Sequence, residues 1–126
     1  MAELSMNIKQ EGGAVVLYPR GFINAHTVRI FEKTLQDQLQ RQAYRIVINC
    51  ADLRYISSAG LGALMGVIDE VRANSGDIKL SNMSDNVYNI FEILGFTHLY
   101  GIFQHEAEAL TSFSPERCRS GRRLGR

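Results

Sequence analysis

Ser57-Ser58-Ala59-Gly60-Leu61-Gly62 sets two hydroxyls and two glycines at the head of an apolar repeat, Leu61, Leu64, Met65, Ile68 and Val71, whose spacing predicts a helix. A helix N-terminus presents backbone N–H groups with no partner inside the helix, together with the positive end of its dipole, so an anion is stabilised there. The chemistry this segment could support is therefore phosphate chemistry, in one of two forms. It could hold the phosphate of a bound ligand, or it could carry one on a serine, adding about −1.5 to −2 charges at a place that tolerates them. The plainer alternative is a serine N-cap followed by glycines that let the helix approach a sheet, and the local residues leave these readings open.

Other chemistries find less support. A serine nucleophile is expected on a Gly-x-Ser-x-Gly turn with a base nearby, and neither Ser57 nor Ser58 has that frame. His26, His98 and His105 are the only histidines; no spacing joins them as metal ligands, and they read as surface or capping residues. Gly60-Leu61-Gly62 lacks the third glycine of a dinucleotide-binding turn, and no Gly-x-x-x-x-Gly-Lys is present. Cys50 and Cys118 form no C-x-x-C and read as two reduced thiols. No enzymatic activity, cofactor or metal site is expected.

The elements that must position Ser57 and Ser58 can be traced in order. Met6 to Gln10 and Ala14 to Tyr18, separated by Glu11-Gly12-Gly13, predict a hairpin. Val28, Phe31, Leu35 and Leu39 predict a helix from Ala25 onward, with Asn24 as its N-cap. Arg45 to Cys50 is a β-branched run, the pattern of a central strand covered on both faces, and Asp52 to Ile56 connects it to the Ser57 helix, which ends near Asn74-Ser75-Gly76. Asp77 to Leu80 reads as a strand. Ser84 caps a helix carrying Val87, Ile90, Phe91 and Leu94, with Gly95 just past its end. His98 to Phe103 predicts a last strand and Gln104 to Ser112 a last helix. This alternation implies an α/β fold with a mixed, mostly parallel sheet of four to five strands flanked by about four helices. Leu64, Met65, Met83 and Phe91 could form a partner-binding apolar surface, but their helical spacing reads first as core, and Asp69 and Arg72 read as a solvated face or the rim of an interface.

A chain of 126 residues, 45% hydrophobic and 21% charged, suits one folded domain. Its net charge of +1 hides an asymmetry: residues 1–116 hold nine basic against thirteen acidic side chains, and the other five arginines follow Glu116. Residues 1–113 are assigned to the domain. Residues 114–126, with almost no apolar content, are expected to be a disordered basic tail. No run approaches the length of about 18–20 apolar residues that spans a bilayer, and the N-terminus lacks a secretory layout, so a cytoplasmic protein without membrane insertion is expected.

The stretch Arg45-Ile46-Val47-Ile48-Asn49, Asp52-Leu53, Tyr55-Ile56-Ser57-Ser58-Ala59-Gly60-Leu61-Gly62-Ala63-Leu64 resembles the most characteristic segment of STAS domains, specifically the bacterial anti-sigma factor antagonists. Gly21-Phe22-Ile23-Asn24-Ala25 resembles the family's loop before its first helix. Ile78-Lys79-Leu80-Ser81 and Ile90 to Phe96 resemble its fourth strand and third helix, so the likeness runs from about Ser5 to Phe113.

The resemblance implies a STAS fold and a binding switch. The unmodified chain would bind an anti-sigma factor that is also a GHKL-type serine kinase using Mg-ATP, so that a sigma factor goes free. Phosphorylation would break that complex and a PP2C-type phosphatase would restore it, with no direct nucleic-acid contact. The family's Asp-Ser-Ser/Thr-Gly aligns with Ser57-Ser58-Ala59-Gly60, which makes Ser58 the implied acceptor and puts Ser57 where Asp is common. Whether Ser57 is itself modified or only supports the loop stays open. Asn24 also stands where Asp is common, on a surface the kinase touches. The implied partner-binding residues are Asn24, Ser57, Ser58, Ala59, Gly60 and Leu61. The same fold could instead serve as a STAS subunit of a transport or stressosome-like assembly, a protein-binding module without sigma-factor control.

Overall fold

The computed structural model describes residues 3–113, and the basic segment 114–126, with Cys118, lies outside the described residues. Strand β1 (Leu4–Glu11) and strand β2 (Ala14–Ile23) pair antiparallel across Gly12-Gly13, with Glu11 opposite Ala14. Helix α1 (Val28–Gln40) leads to β3 (Arg45–Asn49), which pairs parallel with β2 on one side and with β5 (Asp77–Ser81) on the other. Short β6 (Gly101–Phe103) closes the far edge, parallel to β5. Ile46, Val47 and Ile48 of β3 are all buried, which is what a central strand with apolar packing on both faces requires.

The connection after β3 is itself a strand, β4 (Leu53–Ile56), so the sheet has six strands among the described residues, where four to five are expected from sequence. β2 is long enough to serve two partners in succession: Val15 to Leu17 lie against β3, and Gly21 to Ile23 lie against β4. A register shift between Gly21 and Phe22 marks the change.

Three helices cover one face of the sheet. Phe31, Leu35 and Leu39 of α1, Leu61, Leu64, Val67 and Val71 of α2 (Ser58–Ala73), and Val87 and Phe91 of α3 (Asp85–Ile93) pack on Val15, Leu17, Ile46, Ile48, Ile78 and Leu80. The other face is covered more sparingly by α4 (Glu106–Thr111), where Ala109 meets Val16 and Val47 beside Tyr18, Phe103 and Phe113. Asn49 donates to Glu106 at 2.9 Å and ties that helix to the sheet.

Two boundaries differ from the sequence expectation. α1 starts at Val28 because Asn24 organises a turn ahead of it: its Oδ1 accepts from the N–H groups of His26 and Thr27, and the helix cap position falls to Thr27. The strand expected from His98 is confined to Gly101–Phe103. Gly95, at φ 79°, ends α3 in the left-handed region, and Phe96–His98 form a 3-10 turn in which Phe96 stacks on Tyr100 with ring centroids 6.4 Å apart.

Tyr100 is 4% exposed and its hydroxyl has no partner among the described residues. Burial pushes its phenol up to about 12; Arg72 opposes this, and Asp77 and Asp69 add to it. An acid whose folded pKa is raised keeps its stabilising effect below the unfolded value of about 10 and loses it as the pH climbs towards the folded one. Tyr100→Phe is expected to leave stability at pH 7 unchanged or higher by up to about 1 kcal/mol, since an unsatisfied hydroxyl is removed. Its urea midpoint should also fall less than the wild type's between pH 9 and pH 11. An equal fall in both proteins would assign the alkaline loss to other groups, Tyr18 among them.

Candidate functional site

The chain enters the site from β4. Ser57 follows Ile56 directly, its N–H donates to the carbonyl of Ile23 at 2.8 Å, and its own carbonyl accepts from Leu61 N–H at 3.1 Å. The start of α2 is thereby fastened to the end of β2, and Asn24, the residue after Ile23, stands at the same end of the sheet. Asn24, Ser57 and Ser58, with Ala59, Gly60 and Leu61 following on α2, share one end of the sheet, where strands give way to helix N-termini.

Their surroundings separate their roles. Ser58 is the first residue of α2 and is exposed, as is Ala59. Ser57 is half-buried; its Oγ is shielded from solvent and has no hydrogen-bond partner among the described residues. Asn24 is half-buried and already committed, with Oδ1 accepting as described and Nδ2 donating to Glu3 at 3.3 Å.

Gly60 and Leu61, expected at the partner surface, face inward. Leu61 is 1% exposed, and a Cβ on Gly60 would stand 2.7 Å from Ile23 Cγ2 and 2.6 Å from Ile56 Cγ1. Their side-chain positions are spent on seating α2 against the sheet, so any contact they make with a partner goes through backbone. The first turn of α2 carries no acidic residue, and Ser57 does not cap it, so the N–H groups of Ser58, Ala59 and Gly60 face no side-chain acceptor among the described residues.

Several further apolar side chains at this end of the sheet and along α2 are exposed. Phe22 and Tyr55 stand in register across β2 and β4, 42% and 43% exposed. Their adjacency rests on the β4 pairing, which has no local signal. Met65, read as core, is 51% exposed, whereas Leu64 and Phe91 are buried as expected and Met83 is half-buried. Gly62 and Gly66 lie on the same outer face of α2, and a Cβ at either would meet nothing within 4 Å. Arg72 is held by Asp77 at 3.1 Å and by the Leu99 carbonyl, so it belongs to the far end of α2. Beside the Asn24 turn lies an open cleft lined by Arg20, Gly21, Asp52, Arg54, Ser84 and Asn86.

Among the described residues no group of three or more His, Cys, Asp or Glu side chains could hold a metal ion. His26, His98 and His105 are all exposed. Cys50 is sealed in the core, where burial pushes its thiol up to about 12 and away from reactivity. No helix among the described residues is long and apolar enough to cross a membrane.

Residues 5–109 match the STAS domain family. The chain is 25% identical over 99 residues to the anti-sigma-B factor antagonist of Bacillus subtilis, covering 79% of this chain and 90% of that one. It is 22% identical over 109 residues to the anti-sigma F factor antagonist of Paenibacillus polymyxa, covering 86% and 93%. Among solved structures it is similar to the anti-sigma factor antagonist SpoIIAA in its unphosphorylated form, with a TM-score of 0.72 at 22% identity over 84% of this chain and 93% of that one. The phosphorylated form of SpoIIAA from Bacillus gives a TM-score of 0.67 at 21% identity, covering 87% and 100%.

Proposed function

The chain belongs to the STAS domain family, and on that footing we propose that it is an anti-sigma factor antagonist whose binding is switched off by phosphorylation of Ser58. The observation that carries the proposal is the contrast between two adjacent serines at one helix start: Ser58 offers an exposed hydroxyl, and the Ser57 hydroxyl is turned inward. The relatives named as antagonists, and SpoIIAA solved with and without phosphate, support the same reading.

Unmodified, the first turn of α2 around Ser58 carries no acidic side chain and is low. Ala59, Gly62 and Gly66 raise little above the helix backbone, and Met65 supplies exposed apolar area on the same helix. An interior helix glycine costs about 1 kcal/mol relative to alanine, and nothing within the described chain approaches Gly62 or Gly66 closely enough to require one. A closely seated partner would require it. We assign that partner to an anti-sigma factor that is also a GHKL-type kinase.

The kinase transfers the terminal phosphoryl group of Mg-ATP. The bond from phosphorus to the bridging oxygen breaks, a bond to Ser58 Oγ forms, ADP leaves, and the hydroxyl proton passes to a base of the kinase. The product carries about −1.5 to −2 charges on a surface fitted to a neutral one, and the repulsion and desolvation it imposes disfavour the complex without refolding the chain. A PP2C-type phosphatase hydrolyses the ester back to serine and inorganic phosphate.

The test is co-purification of the unmodified chain with its partner, followed by intact-mass measurement and peptide mapping after addition of Mg-ATP. The expected result is a soluble ATP-binding kinase that adds one phosphoryl group at Ser58 and then releases the chain. A membrane-associated transport ATPase as partner, with no mass gain on Ser58, would overturn the reading.

A further inference from the structure

Ser57 and Ser84 occupy the same position, the residue before a helix, with nearly the same backbone: φ −89° and ψ 174° at Ser57, φ −71° and ψ 164° at Ser84. Ser84 behaves as a helix-capping serine does, its Oγ accepting from Val87 N–H at 3.2 Å. Ser57 does not. Its hydroxyl is shielded from solvent with no partner among the described residues, and the helix it precedes is left without a side-chain cap. The backbone does not forbid capping, as Ser84 demonstrates, and its own N–H and carbonyl are fixed to Ile23 and Leu61. What remains adjustable is a single side-chain torsion.

A buried hydroxyl without a partner is under-satisfied, and the N–H groups of the first turn of α2 have no side-chain acceptor among the described residues. Both sets of donors lie within one turn of Ser58. Three phosphoryl oxygens on Ser58 would supply the acceptors that both lack, and the first turn carries no carboxylate to compete with them. We propose that Ser57 is a positioning residue for the phosphorylated state: its hydroxyl rotates to donate to a phosphoryl oxygen of phospho-Ser58 and holds the group over the N-terminus of α2. This rests on the reading of Ser58 as acceptor, and it resolves the role of Ser57, a hydroxyl sheltered from a kinase but one torsion away from its neighbour's phosphate. An aspartate at position 57 would do the opposite, occupying the α2 N–H groups itself and repelling the phosphate.

Phosphoserine installed at position 58 during translation makes the test independent of any kinase. Donors that prefer the dianion lower the second pKa of the phosphate below its usual value of about 6, and a phosphorus NMR titration reads that value directly. The folded wild type is expected to titrate below the same protein in denaturing urea. Ser57→Ala should raise the folded value by about one pH unit, the size of one charge-assisted hydrogen bond. Ser57→Thr, which keeps the hydroxyl, should stay with the wild type, and Ser57→Asp should titrate highest. Equal values for the folded and urea-denatured wild type would overturn the proposal without recourse to any variant, as would a Ser57→Ala protein that titrates like the wild type. Phosphorylation of Ser58 by a kinase would stand or fall separately, on intact mass.

Discussion

Ser58→Ala is expected to bind its partner kinase whether or not ATP is present, and to gain no phosphoryl group. The substitution removes one exposed hydroxyl at the first position of α2, so stability should change by no more than about 0.5 kcal/mol, the usual range for a surface site. The effect on regulation should be far larger. A like charge or an unpaired anion at an interface costs several kcal/mol, so phosphorylation should weaken the wild-type complex about 100-fold or more, and the Ala variant escapes this entirely. Ser58→Asp carries one charge where the phosphate carries about two, with fewer acceptor oxygens, so it should fall between, weakening binding about tenfold. Calorimetric titration of the three proteins against the kinase, with and without Mg-ATP, gives the order directly. A Ser58→Ala protein still phosphorylated by the kinase would move the acceptor to another residue.

The helix start at Ser57-Ser58 was legible in the sequence, but its setting was not. The hydroxyl pair ahead of Leu61, Leu64, Ile68 and Val71 marks a helix start, and the Ser84 and Gly95 boundaries of α3 are equally local. Capping and periodicity need only near neighbours. β4, expected only as a connection, is four residues long, and the partner that makes it a strand, the far half of β2, lies some thirty residues earlier. The Phe22–Tyr55 pair was missed for the same reason. Met65 illustrates a subtler failure. It sits four residues after Leu61, at the edge of an apolar stripe, and neighbouring elements decide whether such an edge is covered. Ala63 and Val67, on the other flank, are buried; Met65 is not. Asn24 was legible as a turn-forming residue, but not the choice its side chain makes between capping α1 and closing the turn ahead of it.

The sharpest test of how α2 is used compares two glycines two residues apart. Gly60→Ala places a methyl group 2.6 Å from Ile56 Cγ1 and 2.7 Å from Ile23 Cγ2, and both isoleucines are buried and β-branched, with little torsional freedom to withdraw. The helix must lift from β2 and β4, which loosens the bond from Ser57 N–H to the Ile23 carbonyl. Overpacking of this kind costs about 1–3 kcal/mol, or a fall in Tm of about 4 °C per kcal/mol in a domain of this size. Gly62→Ala meets nothing within 4 Å and replaces the poorer helix former, so it should stabilise the free chain by about 0.5–1 kcal/mol. The added methyl group stands on the face beside Ser58, where the partner is to seat closely, and should weaken the kinase complex about tenfold. The two substitutions are chemically identical and lie on the same helix, so opposite signs in thermal melts would separate the glycine that packs the fold from the one that serves binding. A Gly62→Ala protein that is more stable and binds its kinase with undiminished affinity would show that the outer face of α2 is not where the partner sits.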